Sequence, residues 1–62
     1  MTTFERIAAY LRDEGCPKTP QEISVWTGIE LSTVYETLQT NRVFFREIIK
    51  DESLIGWTVD ML

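Results

Sequence analysis

Histidine is absent from this 62-residue chain, and Cys16 is its only cysteine. The absence of histidine excludes imidazole acid–base catalysis and histidine metal ligation. One thiolate cannot build a zinc site within a single chain, and no internal disulfide can form. With no histidine to activate it, Cys16 is not expected to be a nucleophile, and we expect it to pack as a small hydrophobe at the end of the first helix. The sequence therefore predicts neither an enzyme nor a bound metal, cofactor or small-molecule ligand.

Glycine and long apolar runs are also scarce. The three glycines, at positions 15, 28 and 56, are too far apart to form a phosphate-binding loop. No apolar stretch approaches the ~20 residues needed to cross a bilayer. Residues 1–6 lack the basic segment and apolar run of a secretory leader. Because a small domain in an oxidising compartment usually needs disulfides, we expect a cytoplasmic protein with no membrane partner.

Basic residues are fewer than acidic ones. Six Lys and Arg stand against ten Asp and Glu, which gives a formal net charge of −4. The resulting field repels nucleic acid and anionic membranes and disfavours non-specific binding to either. The apolar fraction of 44% is ordinary for a folded protein. The length predicts one domain, residues 1–62, of marginal stability.

Capping signals mark the first two helices. Thr2 and Glu5 have the spacing of a capping box, in which each side chain satisfies a free backbone N–H of the other residue. Gly15 is suited to the left-handed conformation that ends a helix. A second helix is expected to begin after Thr19, with proline at its first position and glutamate at its third, and to end at Gly28.

A third helix and a hairpin are predicted from the periodicity of the rest of the chain. The third helix spans about residues 30–41, with an inner stripe of Leu31, Val34 and Leu38. Residues 42–49 and 54–59 are rich in β-branched and aromatic side chains, which favours two strands around a polar turn at 50–53. Ile55, Trp57 and Val59 are expected on one face of the second strand. The predicted core comprises Phe4, Ile7, Leu11, Ile23, Trp26, Val34, Leu38 and Trp57.

This element order resembles the winged helix-turn-helix superfamily. The residues that carry the resemblance are Glu22-Ile23, Thr27-Gly28-Ile29, Thr33-Val34 and Leu38. The closing residues 57–59 resemble the last wing strand, where an aromatic side chain often packs back onto the helices. The resemblance covers nearly the whole chain and implies an α+β, mainly α fold, a three-helix helix-turn-helix followed by a two-stranded β-hairpin wing. The resemblance is less specific for function than for fold, because this fold hosts DNA binders, RNA binders and protein-interaction modules.

DNA binding is the first function that the resemblance implies, since such proteins place the third helix in the major groove. The candidate base-facing residues are Ser32, Tyr35, Glu36 and Gln39. The third helix carries no Lys or Arg, and the family often has one near Leu31 and Tyr35. The candidate phosphate contacts are therefore Lys18, Arg42, Arg46 and Lys50. Plain solvation explains these cations equally well, and partial packing against the wing is favoured for Tyr35.

The hairpin offers a second interpretation, because it carries three adjacent apolar pairs at 44–45, 48–49 and 54–55. Adjacent strand residues point to opposite faces, so one member of each pair faces solvent or a partner. Phe44, Ile48 and Ile55 are the candidate interface residues, and a shift of one residue in register would exchange them for their neighbours. In the alternative interpretation these side chains are not exposed, because the twist of the strands and the chain end, Met61 and Leu62, cover them.

The sequence thus leaves two functions open, and DNA binding is placed narrowly first because the fold most often serves it. The first is a small non-catalytic DNA-binding protein or transcription regulator acting on double-stranded DNA. The second is an acidic winged-helix protein-interaction module that docks on a transcription or replication protein, or mimics DNA, without binding DNA itself. DNA binding requires the four cations to share one face with Ser32 and Gln39, whereas protein binding requires a contiguous apolar face. A homodimer built through the hairpin is compatible with both.

Overall fold

Three helices and an antiparallel hairpin make up residues 1–59, the part of the chain that the computed structural model describes. The elements are α1 (Thr3–Glu14), α2 (Pro20–Thr27), α3 (Leu31–Thr40), β1 (Phe45–Lys50) and β2 (Ser53–Val59). β1 pairs with β2 in antiparallel orientation. The predicted winged-helix layout is therefore confirmed. The suggested cover of the hairpin by Met61 and Leu62 lies outside the described residues.

Local hydrogen bonds explain where α1 and α2 begin. The Thr2 hydroxyl accepts from the backbone N–H of Glu5, and the Glu5 carboxylate accepts from the backbone N–H of Thr2. Thr19 and Glu22 repeat this arrangement at the start of α2. The capping box predicted for α1 is therefore present, and α2 begins after Thr19 as predicted. Within residues 1–59, none of the helices has the length and apolar character required to cross a bilayer.

The turn between α2 and α3 is held by its own side chains. Gly28 ends α2 in the left-handed conformation, with φ 75°, and its N–H donates to the carbonyl of Ser24. The Ser24 hydroxyl donates to the Ile29 carbonyl at 2.6 Å. The Thr27 hydroxyl donates to the Ile23 carbonyl at 2.6 Å and accepts from the N–H of Ile29 at 3.3 Å. These bonds satisfy backbone groups that a helix end would otherwise leave without partners.

The core is built from apolar side chains of the helices, the α2–α3 turn and the hairpin. Its buried members are Ile7, Ala8, Leu11, Ile23, Ile29, Val34, Leu38, Phe45 and Trp57. Six of the eight predicted core residues are among them. Phe4, a seventh, is half-buried and packs against the core, with its ring centroid 5.3 Å from that of Phe45.

Two residues assigned to the interior lie on the surface instead. Trp26 is 73% exposed, because the buried side of α2 is set by Pro20 and Ile23, and Trp26 lies off that line. Leu31 is also exposed. It is the first residue of α3, and the turn residue Ile29 is buried beneath that end of the helix.

The hairpin turn is tighter than predicted and β1 starts later, at Phe45. Asp51 and Glu52 alone connect the strands, and both have positive φ, 52° and 64°. Two consecutive positive φ values are typical of the two-residue turn whose twist matches the strands. The first strand was predicted from residue 42, but residues 41–44 form a turn closed by hydrogen bonds from the N–H groups of Phe44 and Phe45 to the Asn41 carbonyl.

A bulge interrupts β2 and changes which side chains share a face. Ile48 pairs with Gly56 and Ile49 pairs with Leu54, so Ile55 is an extra residue on β2. The expected single face of Ile55, Trp57 and Val59 is therefore wrong at Ile55, which is exposed while Trp57 is buried. An extra residue breaks the simple alternation on which that expectation depended.

Lys18 joins the hairpin to the helices as a one-residue third strand on β2. Its N–H donates to the Trp57 carbonyl at 3.0 Å, and the Trp57 N–H donates to the Lys18 carbonyl at 2.7 Å. A Cβ atom at Gly56 would lie 2.6 Å from the Lys18 backbone nitrogen. Glycine at position 56 therefore allows the two backbones to approach closely.

The two tryptophans provide a matched test of the core. Trp57→Ala should lower the free energy of unfolding by about 3–5 kcal/mol, as should Leu38→Ala, because each leaves a cavity in the interior. Trp26→Ala should change it by no more than about 0.5 kcal/mol, because the ring is exposed. Urea denaturation followed by far-UV circular dichroism measures all three. Equal losses for the two tryptophan variants would contradict this assignment of burial.

Gly56→Ala should lower the free energy of unfolding by about 2–3 kcal/mol, because the new methyl group meets backbone atoms that cannot rotate away. Gly15→Ala is the control. That glycine has φ 69° and open space around its Cβ position, so alanine there should cost only about 1 kcal/mol of backbone strain. Urea midpoints compare the two. A Gly56→Ala variant as stable as wild type would show that Lys18 and β2 are not held this closely.

Candidate interaction surfaces

The outward face of α3 presents the four residues considered for base contacts. Ser32, Tyr35, Glu36 and Gln39 are all exposed. The Ser32 hydroxyl donates to the carboxylate of Glu30. The Tyr35 hydroxyl accepts from Nε2 of Gln21 at 3.2 Å, which connects it to the start of α2. The face is thus accessible, polar and without a basic residue of its own.

Lys18 is held by carboxylates on both neighbouring helices. Its Nζ lies 3.3 Å from Oε1 of Glu14 and 4.0 Å from Oε2 of Glu22. The hydrogen bond to Glu14 raises the pKa of Lys18 above its ordinary value. Its side chain is only 19% exposed. A phosphate at this position would have to compete with two carboxylates for the ammonium group.

Arg42 connects the end of α3 to the hairpin. Its guanidinium donates to Oε1 of Gln39 at 2.7 Å and to Oε1 of Glu47 at 3.3 Å. The guanidinium carbon also lies 5.5 Å from the ring centroid of Trp57, within the range of a cation–π contact. The structure therefore brings Arg42 beside Gln39, as the DNA interpretation requires, but both side chains are engaged with each other.

Among residues 1–59, Arg46 and Lys50 are the phosphate candidates without such partners. Both are exposed on β1, and their spacing places them on the same face of the strand as Ile48. Neither makes an ion pair with another residue within positions 1–59. The four cations are thus divided. Lys18 and Arg42 are paired with carboxylates, and the two on the hairpin are available to a ligand.

The hairpin exposes apolar side chains that differ in part from the candidates. Phe44 and Ile55 are exposed, and Phe44 also packs edge-on against Phe4, with ring centroids 5.4 Å apart. Ile48 is half-buried, whereas Ile49 is 60% exposed. Ile49 and its cross-strand partner Leu54 share one face, because directly paired residues point to the same side of a sheet. Ile49, and not Ile48, is therefore the more exposed member of the pair 48–49.

Sequence reasoning missed a second apolar surface, on α2. Val25 is 76% exposed and lies next to Trp26. The helical spacing of α2 could have revealed this surface. A buried stripe at positions i, i+3 and i+7 passes through Pro20, Ile23 and Thr27 and leaves Trp26 outside. These two side chains form the surface that we call the α2 patch, Val25 and Trp26.

The segment after α1 contains a buried polar atom and an exposed thiol. The Tyr10 hydroxyl is buried and has no hydrogen-bond partner among the described residues. Desolvation raises the pKa of Tyr10 above its ordinary value of 10.0. Cys16, expected to pack at the end of α1, is exposed instead, because it lies in the connection beyond the capping Gly15.

Comparisons with protein-family models, with curated proteins and with solved structures give no match. Within residues 1–59, no group of three or more acidic or cysteine side chains is arranged to hold a metal ion. The exposed surfaces described above therefore carry the information about the function of this chain.

Tyr10→Phe should leave the stability at neutral pH unchanged or raise it by up to about 1 kcal/mol, because it removes a buried hydroxyl that has no partner. Its larger effect should appear in alkali. The pKa of Tyr10 is raised in the folded state, so its contribution is complete below pH 10 and is lost as the pH rises through the folded value.

The raised pKa of Lys18 acts in the same direction at higher pH. The wild-type protein should therefore lose stability above about pH 10, and Tyr10→Phe should lose less. Urea midpoints measured between neutral pH and strong alkali test this. An identical alkaline loss in the two proteins would contradict the assignment of the loss to Tyr10.

Proposed function

We propose that this chain is a non-catalytic, acidic winged-helix module that binds a protein partner and does not bind DNA. The observation that carries the proposal is the exposure of Trp26, 73%, beside Val25 in the α2 patch. Tryptophan is among the side chains that most often dominate binding energy at protein interfaces. A small protein exposes such a ring to water at a cost in solubility, which binding to a partner would remove.

The charge distribution supports a protein partner. DNA affinity comes largely from neutralising phosphates, and α3 contributes no cation to this. Lys18 and Arg42 are already paired with carboxylates of the protein. The remaining hairpin cations, Arg46 and Lys50, act against a net charge of −4. Such a surface lacks the basic stripe that is typical of DNA-reading proteins.

The charge of the partner is inferred from the acidic residues of the helix-turn-helix that carries the α2 patch. Glu22 lies on the same helix, and Glu30 and Glu36 are exposed at and after the following turn. A complementary partner has an apolar pocket for Trp26 surrounded by basic side chains. Proteins of transcription and replication carry basic surfaces because they handle nucleic acid. A module of this charge fits the proposal of docking on such a protein.

DNA binding is the second candidate. The observation in its favour is that all four base-facing candidates on α3 are exposed. With Arg46 and Lys50 as the available phosphate contacts, such binding would have a low dependence on salt concentration. The two functions make opposite predictions for the same titration.

The DNA titration is the direct test of this choice. On addition of a mixed-sequence duplex at low salt, the amide shifts of the ¹⁵N-labelled protein should stay constant, because the long-range field is repulsive. Saturable shifts centred on residues 30–42 and the hairpin turn would overturn the proposal in favour of DNA binding.

The α2 patch is tested in cells that express the full chain. Benzoylphenylalanine in place of Val25 should give a discrete photo-crosslinked partner, identified by mass spectrometry. The additional change Trp26→Ala should abolish this product, because the exposed ring anchors the complex. Benzoylphenylalanine in place of Thr40, which is exposed on α3, is the matched control and should give no such product. Equal yields from positions 25 and 40 would contradict a role for the α2 patch.

A further inference from the structure

We infer that the open edge of β1 accepts an extended acidic segment of a partner protein as an added β-strand. The inference rests on the proposed protein-binding function and specifies the chemistry of the partner segment. It depends on the hairpin and not on the α2 patch, so the two surfaces can be tested separately.

The edge geometry follows from the backbone pairing of Trp57. Both the N–H and the carbonyl of Trp57 are bonded to Lys18, so they point away from β1. In an antiparallel pair, two residues opposite each other direct their backbone groups either towards each other or away from each other. Glu47, the partner of Trp57, therefore directs its N–H and carbonyl away from β2.

Two amides on β1 are available at this edge. Ile49 lies two residues after Glu47, and the extra residue of the bulge is on β2 and not on β1. The N–H and carbonyl of Ile49 therefore point away from β2, as those of Glu47 do. Within residues 1–59, β1 pairs only with β2, whose other side is occupied by Lys18. At the beginning of β1, the N–H of Phe45 is occupied by the Asn41 carbonyl. The open edge therefore extends from Glu47 towards the hairpin turn.

The side chains along this edge define the sequence that would pair with it. Arg46, Ile48 and Lys50 alternate along one face of β1, and the residues opposite them on an added strand share that face. Arg46 and Lys50 are exposed and make no ion pair with another described residue. A carboxylate opposite each cation and an apolar side chain opposite the half-buried Ile48 complement this row.

A second copy of the chain fits the edge poorly. Antiparallel pairing of two β1 strands centred on Ile48 places Arg46 of one copy opposite Lys50 of the other, and like charges directly opposite each other are destabilising. Charge complementarity thus selects an acidic segment. Asp51 and Glu52 follow Lys50 in the turn, so Arg46 is expected to be the stronger of the two recognition positions.

The test is an NMR titration of the ¹⁵N-labelled full chain with the capped peptide Thr-Glu-Thr-Val-Thr-Glu-Thr at millimolar concentration and low salt. The amides of Glu47 and Ile49 should shift saturably and exchange more slowly with solvent, because they gain acceptors on the added strand. N-methylation of one alternating set of peptide residues should abolish binding, and methylation of the other set should not.

Charge reversal tests the specificity. The double variant Arg46→Glu, Lys50→Glu should bind this peptide at least about tenfold more weakly. It should instead bind the peptide in which lysines replace the glutamates. Arg12→Glu, at an exposed cation on α1, is the matched control and should retain the affinity of the wild-type chain.

Several results would overturn the inference. Three of them are the absence of shifts at Glu47 and Ile49, equal affinity for the acidic and basic peptides, and equal loss of binding from both methylation patterns. The fourth is a concentration-dependent shift of the same amides without peptide, which would indicate self-association. Crosslinking from position 25 reports separately on the proposed function. A failed peptide titration with a specific crosslink would remove only the edge pairing, whereas loss of both would remove the proposed function as well.

Discussion

The position of Trp57 is the constraint on which the rest of the structure depends. Its ring is buried in the core, its backbone exchanges two hydrogen bonds with Lys18, and the guanidinium of Arg42 lies over its ring. Through these contacts one residue of β2 connects the α1–α2 segment, the end of α3 and the hairpin. The bare backbone of Gly56 makes this possible, because any side chain there would push Lys18 away. A domain this small buries few side chains, so a single buried aromatic ring contributes a large fraction of its buried apolar surface.

The extent to which the structure could be read from the sequence depends on the range of the interaction involved. Capping boxes link residues three positions apart, so Thr2 with Glu5 and Thr19 with Glu22 were predictable from spacing alone. Burial depends on the neighbours that tertiary packing supplies. Trp26 matched the helical spacing from Ile23, but the interior lies on the other flank of α2.

The hairpin shows the same limit for the candidate interface. A simple alternation of strand faces leaves out the bulge, whose local signal at positions 54–56 is Gly56, a glycine inside a strand. One extra residue changed the face of Ile55 relative to Trp57. Similarly, the sequence identifies the four cations, but only the structure shows that Lys18 and Arg42 are paired with carboxylates on neighbouring elements.

The joining of Lys18 to Trp57 also has a kinetic consequence. The helices and the hairpin are local structures that can form independently, each from a short stretch of chain. The Lys18–Trp57 pair joins residues that are 39 positions apart, so it closes a long loop and carries a large entropy of closure. We therefore expect it to form late in folding. A change that weakens this pair should then mainly raise the unfolding rate, and it should lower the folding rate only slightly.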